Sequence, residues 1–233
     1  MAPHEWTALR RWLAILSGLV VVRVLGGILS NYGHYLPAPD FRADFLVGRE
    51  ETFFHGGYRE AFVVHLLAGP PALVLALVLA NPGLRRRAPE WHARLGRIEA
   101  GIVALILAPS GLVMAIEPLP WLSAPERAVA GLGFATLALF TGFSVAIGFA
   151  AARQRRFADH GRWMARVVAL LLSAVVLRVM GGIASVLAPD LPWTYPASAW
   201  ASWLLPLLAA EGFLRRNHTG TVSRRTADRR PPA

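Results

Sequence analysis

Apolar residues run through this chain in six long blocks, at about residues 11–31, 60–80, 95–116, 127–151, 163–187 and 196–214. Polar and arginine-bearing stretches separate them. Crossing a hydrocarbon core of ~30 Å takes about 20 helical residues, and each block is long enough to do so. The pattern predicts an all-α fold, an integral membrane helical bundle of about six transmembrane helices. A single transmembrane domain is expected over 1–214, followed by a disordered basic tail over 215–233. The start, ALRRWLAIL, has the charged and apolar regions of a signal peptide but no convincing small-residue cleavage site. Its apolar run continues past Arg23, so it reads as an uncleaved first span. The longest loop, 32–59, is long enough to fold over one mouth of the bundle as an amphipathic cap.

Composition supports the lipid solvent. Hydrophobic residues make up 55% of 233 positions and charged ones 16%, whereas soluble domains carry roughly a quarter charged. The net charge of +10 points toward nucleic acid only until its distribution is read. All 24 basic residues are arginine. With the N-terminus placed in the cytoplasm, 18 arginines fall on the cytoplasmic side and four (Arg42, Arg49, Arg59, Arg127) on the other. That is the positive-inside asymmetry. It predicts both termini in the cytoplasm, with anionic lipid headgroups as neighbours and no nucleic-acid partner. Trp6, Trp12, Trp91 and Trp163 fall at the cytoplasmic interface and Trp121 and Trp193 at the outer one, as aromatic belts do. The absence of cysteine removes disulfides, thiolate metal sites and catalytic thiols.

An internal similarity stands out. VVVRVLGGILS (20–30) and VVLRVMGGIAS (175–185) are identical at eight of eleven positions, and both spans run in the same direction. A parallel repeat is therefore geometrically allowed. Pro70 and Pro71, Pro109 and Pro206 lie inside spans, where each should kink a helix and free a carbonyl.

Two polar layers follow from residue depth. Arg23, Arg178, His65 and Ser110, on four spans, share the outer half of the membrane, the two arginines about 18–22 Å from the cytoplasmic end. Charged groups at such depth should face the bundle interior, and two guanidiniums repel unless an anion lies between them. Glu60, Glu117, Asp190 and the acidic outer loop are candidate protein anions. The alternative is a bound carboxylate, phosphate or haem propionate. The second layer lies at the cytoplasmic face: His92, Arg94 and Arg97 in HARLGR, His160, Arg162 and Arg166 in HGRWMAR, with Glu99 and Glu211 about 8 Å inside. Each motif opens a helix, where free N–H groups favour an anion, although ordinary interfacial anchoring explains the same residues. His65, His92 and His160 are also the axial candidates for haem b, though an arginine-dense interface suits that apolar group poorly. His34 and His55 with Asp40 or Asp44 form a weaker metal candidate on the outer loop. No dinucleotide, Walker, G-x-S-x-G or H-E-x-x-H motif occurs, so no catalytic residue is assigned.

At these residues the chain resembles an uncharacterised bacterial family of predicted membrane proteins, domain of unknown function 2306. The matching positions are His65; His92, Gly96 and Arg97; His160, Arg162, Trp163, Met164 and Arg166; and Leu177 with Arg178, spanning about 60–185. Ala93 and Gly161 stand where the family carries arginine after each histidine. The resemblance implies a multi-pass membrane protein and brings no activity. Three functional expectations remain open. The first is binding or moving an anionic amphiphilic ligand. The second is electron transfer with haem b or quinone, and the third is a structural or assembly role in a membrane complex.

Overall fold

The computed structural model describes residues 3–43, 45–116, 120, 122–187, 191 and 193–227. Among these the regular structure is entirely helical. The elements are α1 (Pro3–Ser30), α2 (Glu50–Phe53), α3 (Tyr58–Ala80), α4 (Pro82–Arg87), α5 (Pro89–Gly101), α6 (Ala108–Ile116), α7 (Ala124–Arg153), α8 (Phe157–Leu171), α9 (Ser173–Leu187) and α10 (Thr194–Ala227). Six stretches are long and apolar enough to cross a membrane: Trp12–His34, Tyr58–Ala80, Pro89–Ile116, Ala124–Arg153, Phe157–Leu187 and Thr194–Arg216. An even number of crossings returns the chain to the side on which it starts.

Several helices outrun the apolar blocks. The third begins at Pro89 and the fifth at Phe157, because their first turns are polar yet fully helical. Proline at N1, with its fixed φ and missing donor, suits the opening of α4 and α5, and the Asn81 carboxamide oxygen caps α4 by accepting from Gly83 N at 2.7 Å. At the other end of the molecule α7 opens on Ser123, whose N–H and hydroxyl both donate to Glu126 Oε2 at 2.8 and 2.6 Å. The last helix runs on to Ala227, past the end of the sixth apolar block.

Proline shapes three spans, each differently. Pro109 has no N–H and crowds the carbonyl four residues back. The preceding stretch Ile102–Leu107 widens into a π-helix, which relieves that crowding between α5 and α6. Pro70 leaves the Leu66 carbonyl without its helical donor, and the Tyr32 hydroxyl supplies one, tying the end of the first span to α3. Pro206 likewise removes the donor for the carbonyl of Ser202 on α10. The fifth span divides at Leu172 into α8 and α9, a break for which no proline or glycine accounts.

The α7 helix stands at the centre, in contact with α6, α8 and α10. Its buried face carries Ala130, Gly133, Ala138, Thr141, Ser144, Gly148 and Ala151, small residues that let neighbouring backbones approach. The main apolar cluster joins Ala72, Leu73 and Ala76 of α3, Val103 and Leu107 of the π turn, Val145 of α7, and Val167, Leu171 and Val175 of the fifth span. A second cluster lies under the long loop, where Leu46 and Phe53 pack on Tyr58 and Phe62. This is the cap end of the bundle; the opposite end, with α4 and the starts of α5 and α8, is arginine-rich. The first span is peripheral, touching the bundle chiefly through α9.

Candidate functional site

The two repeated segments lie on α1 and α9, helices that are in contact. Ser30 Oγ donates to Gly27 O and Ser185 Oγ to Gly182 O, each at 2.9 Å, the same local bond in both copies. The arginines then diverge. Arg23 NH1 lies along its own helix, 3.5 Å from where a Cβ on Gly27 would stand. Arg178 NH1 instead turns back to donate to Ala174 O at 3.0 Å. Both guanidiniums line one cleft of 290 Å³, with Asn31 and Tyr35 beside them. Among the described residues no carboxylate comes within 4.0 Å of either arginine. Two of the anions expected for them, Glu117 and Asp190, lie outside the described residues, as do Trp121 and Asp44.

Arg178, Tyr35, Ile28 and Leu66 also border a second space, a partly open cavity of 300 Å³ lined by α1, the long loop, α3, the third span, α7, the fifth span and α10. Its wall is mostly apolar: Leu25, Phe62, Leu73, Met114, Phe134, Leu137 and Leu177 among others. Its polar lining is His65, Thr141, Ser173, Tyr195, Ser202 and two arginines, Arg178 and Arg49. Ser110 stands behind the wall and positions His65. Its hydroxyl has a single proton and lies 2.6 Å from the Ile106 carbonyl, to which it donates. His65 Nδ1, 3.0 Å from that hydroxyl oxygen, must then be the donor. The tautomer is thereby fixed, leaving the Nε2 lone pair as the ring's acceptor. Gly111 makes room for the imidazole: a Cβ there would stand 3.2 Å from His65 Cε1.

Of the four residues that depth alone had placed in one layer, the structure puts Arg23 and Arg178 on the cleft, Arg178 and His65 on the cavity, and Ser110, which lines neither, against His65. It adds Arg49, which the sequence showed only as a loop arginine. Arg49 is 3% exposed, donates through NH1 to the Tyr58 hydroxyl at 2.7 Å, and sits 5.0 Å from the Phe45 ring centroid. The surrounding density of phenylalanines (Phe41, Phe45, Phe53, Phe54) was the available signal that this loop is packed rather than solvated. Ser202, 1% exposed, lines the cavity with a hydroxyl that has no hydrogen-bond partner among the described residues.

The four arginines of the second layer each find a partner, three of them within their own helix. Arg94 reaches Glu90 at 3.8 Å and lies over the Trp91 ring, Arg162 reaches Asp159 at 3.9 Å, and Arg97 Nε donates to Ala93 O at 3.1 Å. Arg166 forks onto Glu211, joining α8 to α10. His160 Nδ1 lies 2.9 Å from Gly148 O, and His92 comes within electrostatic range of His160. Neither the cleft nor the cavity is lined by these residues. Among the described residues His65 is the sole histidine on the cavity wall, and beside His160 the groove between α7 and α8 is filled by Trp163 and Met164 against Gly148. On the long loop His34 Nδ1 lies 3.8 Å from Asp40, and His55 Nδ1 is 2.6 Å from Glu51 O. Among the described residues no three His, Asp or Glu side chains converge as a metal site.

Fold and cavity together define a polytopic helical membrane protein with a mostly apolar pocket that carries a few polar and charged groups. The chain belongs to the predicted membrane protein family DUF2306, whose model matches residues 62–214, so the match runs from the second span through the sixth. No curated protein and no solved structure matches it.

Proposed function

We propose that this protein binds, and passes between the membrane and its cap end, an anionic amphiphile. The anionic head rests between Arg23 and Arg178, and the apolar part occupies the cavity beside His65. The observation that carries this reading is the pair of guanidiniums in one cleft with no described carboxylate within 4.0 Å. Arginines at such depth are costly unless paired or hydrated, and like charges sharing a cleft favour an anion from outside the chain. The mixture of forked donors with an apolar wall suits a carboxylate or phosphate carrying hydrocarbon. Bacterial inner-membrane placement, with the arginine-rich end in the cytoplasm and the cap facing out, follows from the positive-inside asymmetry and belongs to the same proposal.

Native mass spectrometry of protein purified in mild detergent tests it. The wild type is expected to carry an anionic lipid or metabolite. Replacing either Arg23 or Arg178 by leucine should lower its occupancy about tenfold, and the double replacement should empty the site, since each charge-assisted contact contributes about 1.5–3 kcal/mol. Unchanged ligand content in a folded double variant would overturn the reading in favour of a scaffold.

A further inference from the structure

Below the cavity the bundle closes. Leu73, Leu107 and Leu171 form the cavity floor and also belong to the buried cluster with Ala76, Val103, Val145 and Val167. One helical turn from Val103 toward the arginine-rich end stands Glu99, which is 4% exposed. Among the described residues neither of its carboxylate oxygens has a hydrogen-bond partner, and no basic side chain lies within 4.0 Å.

The groups around Glu99 are few. On its own helix Arg97 is turned back onto the Ala93 carbonyl, and His92 stands two turns nearer the arginine-rich surface, its Nδ1 without a partner among the described residues. The neighbouring elements are α3, α4, α7 and the π turn. The ionisable residues of α3 (Tyr58, Arg59, Glu60, His65) lie in its cap-end half. Those of α7 lie at its two ends, Glu126 and Arg127 at one and Arg153 at the other. Arg85, Arg86 and Arg87 of α4 sit at the arginine-rich surface, and the π turn carries no ionisable group.

An ionised carboxylate without partners in such surroundings is strongly unfavourable, so the group must hold a cation. A metal ion needs several oxygen or nitrogen ligands, and among the described residues no such set converges. The proton is the cation that these surroundings accommodate.

The third span joins this carboxyl to the cavity through one backbone. Glu99 precedes the π turn Ile102–Leu107, and Ser110, which fixes the His65 ring, follows it. A π turn holds one residue more than an α turn, and moving that residue along the helix rotates the flanking segment by about 100°. We propose that Glu99 is a proton-binding site loaded from the arginine-rich face. The π turn couples its protonation to the cavity, so that ligand exchange is accompanied by proton uptake or release. The coupling rests on the anionic-ligand reading; the proton site does not.

Infrared difference spectroscopy of the full chain in neutral-lipid nanodiscs, stepped in pH, separates the two. The wild type should show a protonated-carboxyl C=O band, downshifted in D2O, that is missing in Glu99→Gln and displaced in frequency in Glu99→Asp. Adding phosphatidic acid should move the midpoint of that band by about one pH unit, a tenfold coupling. Arg23→Leu/Arg178→Leu should keep the band and lose the shift. A band that persists unchanged in both Glu99 variants, or no band in the wild type, overturns the proton site. A wild type that binds the probe without moving the midpoint overturns the coupling. Absence of probe binding removes the ligand reading and the coupling with it, while the band still decides Glu99.

Discussion

Leucine at position 148 is expected to part α7 from α8 and leave little folded protein in detergent. A Cβ on Gly148 would lie 2.2 Å from Met164 Cε and 3.1 Å from Trp163 Cβ. The methionine methyl is the free end of a flexible side chain and can swing aside. The Trp163 Cβ is fixed to the backbone of α8 and cannot. Alanine should therefore cost about 1–2 kcal/mol, whereas leucine, with three further carbons and no space to place them, should cost about 3 kcal/mol or more. Gly161, on the same hairpin, has no described atom within 4 Å of where a Cβ would stand, so Gly161→Leu serves as the matched control and should melt like the wild type. Thermal unfolding followed by size-exclusion recovery reads all three. A Gly148→Leu protein melting within a few degrees of the wild type would show that the α7–α8 contact is looser than these distances require.

Removing Arg166 should be more damaging than removing Arg166 and Glu211 together. The guanidinium makes two parallel contacts with the carboxylate across α8 and α10, and its carbon lies 4.5 Å from the Trp163 ring centroid. The side chains are 20% and 29% exposed, which places the pair between a surface ion pair and a buried one. Arg166→Leu leaves the carboxylate half-buried without its fork, at about 2 kcal/mol once solvent screening is allowed for. Arg166→Leu/Glu211→Leu removes both charges and should recover most of that loss. Arg166→Lys should fall between, because an ammonium cannot make the fork. Equal melting temperatures for the single and double leucine variants would contradict this ordering.

The spans were legible because a membrane imposes length and apolarity together, and hydropathy reads both. Helix starts were less so: Pro89–Arg94 and Phe157–Arg162 are polar, so an apolarity criterion begins each span about six residues late even though the backbone is already helical. Pro109 was legible as a disturbance, but not as a π turn, since the relief of a proline clash depends on what the neighbouring helices allow. The division at Leu172 had no local signal. Arg23, Arg178, His65 and Ser110 were legible as one layer because axial rise converts residue number into depth. Their lateral neighbours were not, and Arg49 and Tyr195 enter the cavity only through the folding of the loop and the azimuth of α10. The arginine motifs at the opposite end looked like a joint site in sequence, yet helical spacing lets Glu90 and Asp159 satisfy Arg94 and Arg162 within their own helices.

The family match begins at Phe62, one turn into α3. His65, Ser110 and Arg178 therefore come from the shared five-span body, while Arg23, Asn31, Tyr35 and Arg49 come from the part of the chain before it. That earlier part leans on the body through α9 and the cap, and leaves the packing of α7 untouched. The pocket is thus assembled from the family-matched body and from the chain that precedes it. Under the proposed ligand reading, substitutions in α1 and the cap loop would change the lining of the pocket while leaving the contacts of α7 with α6, α8 and α10 in place.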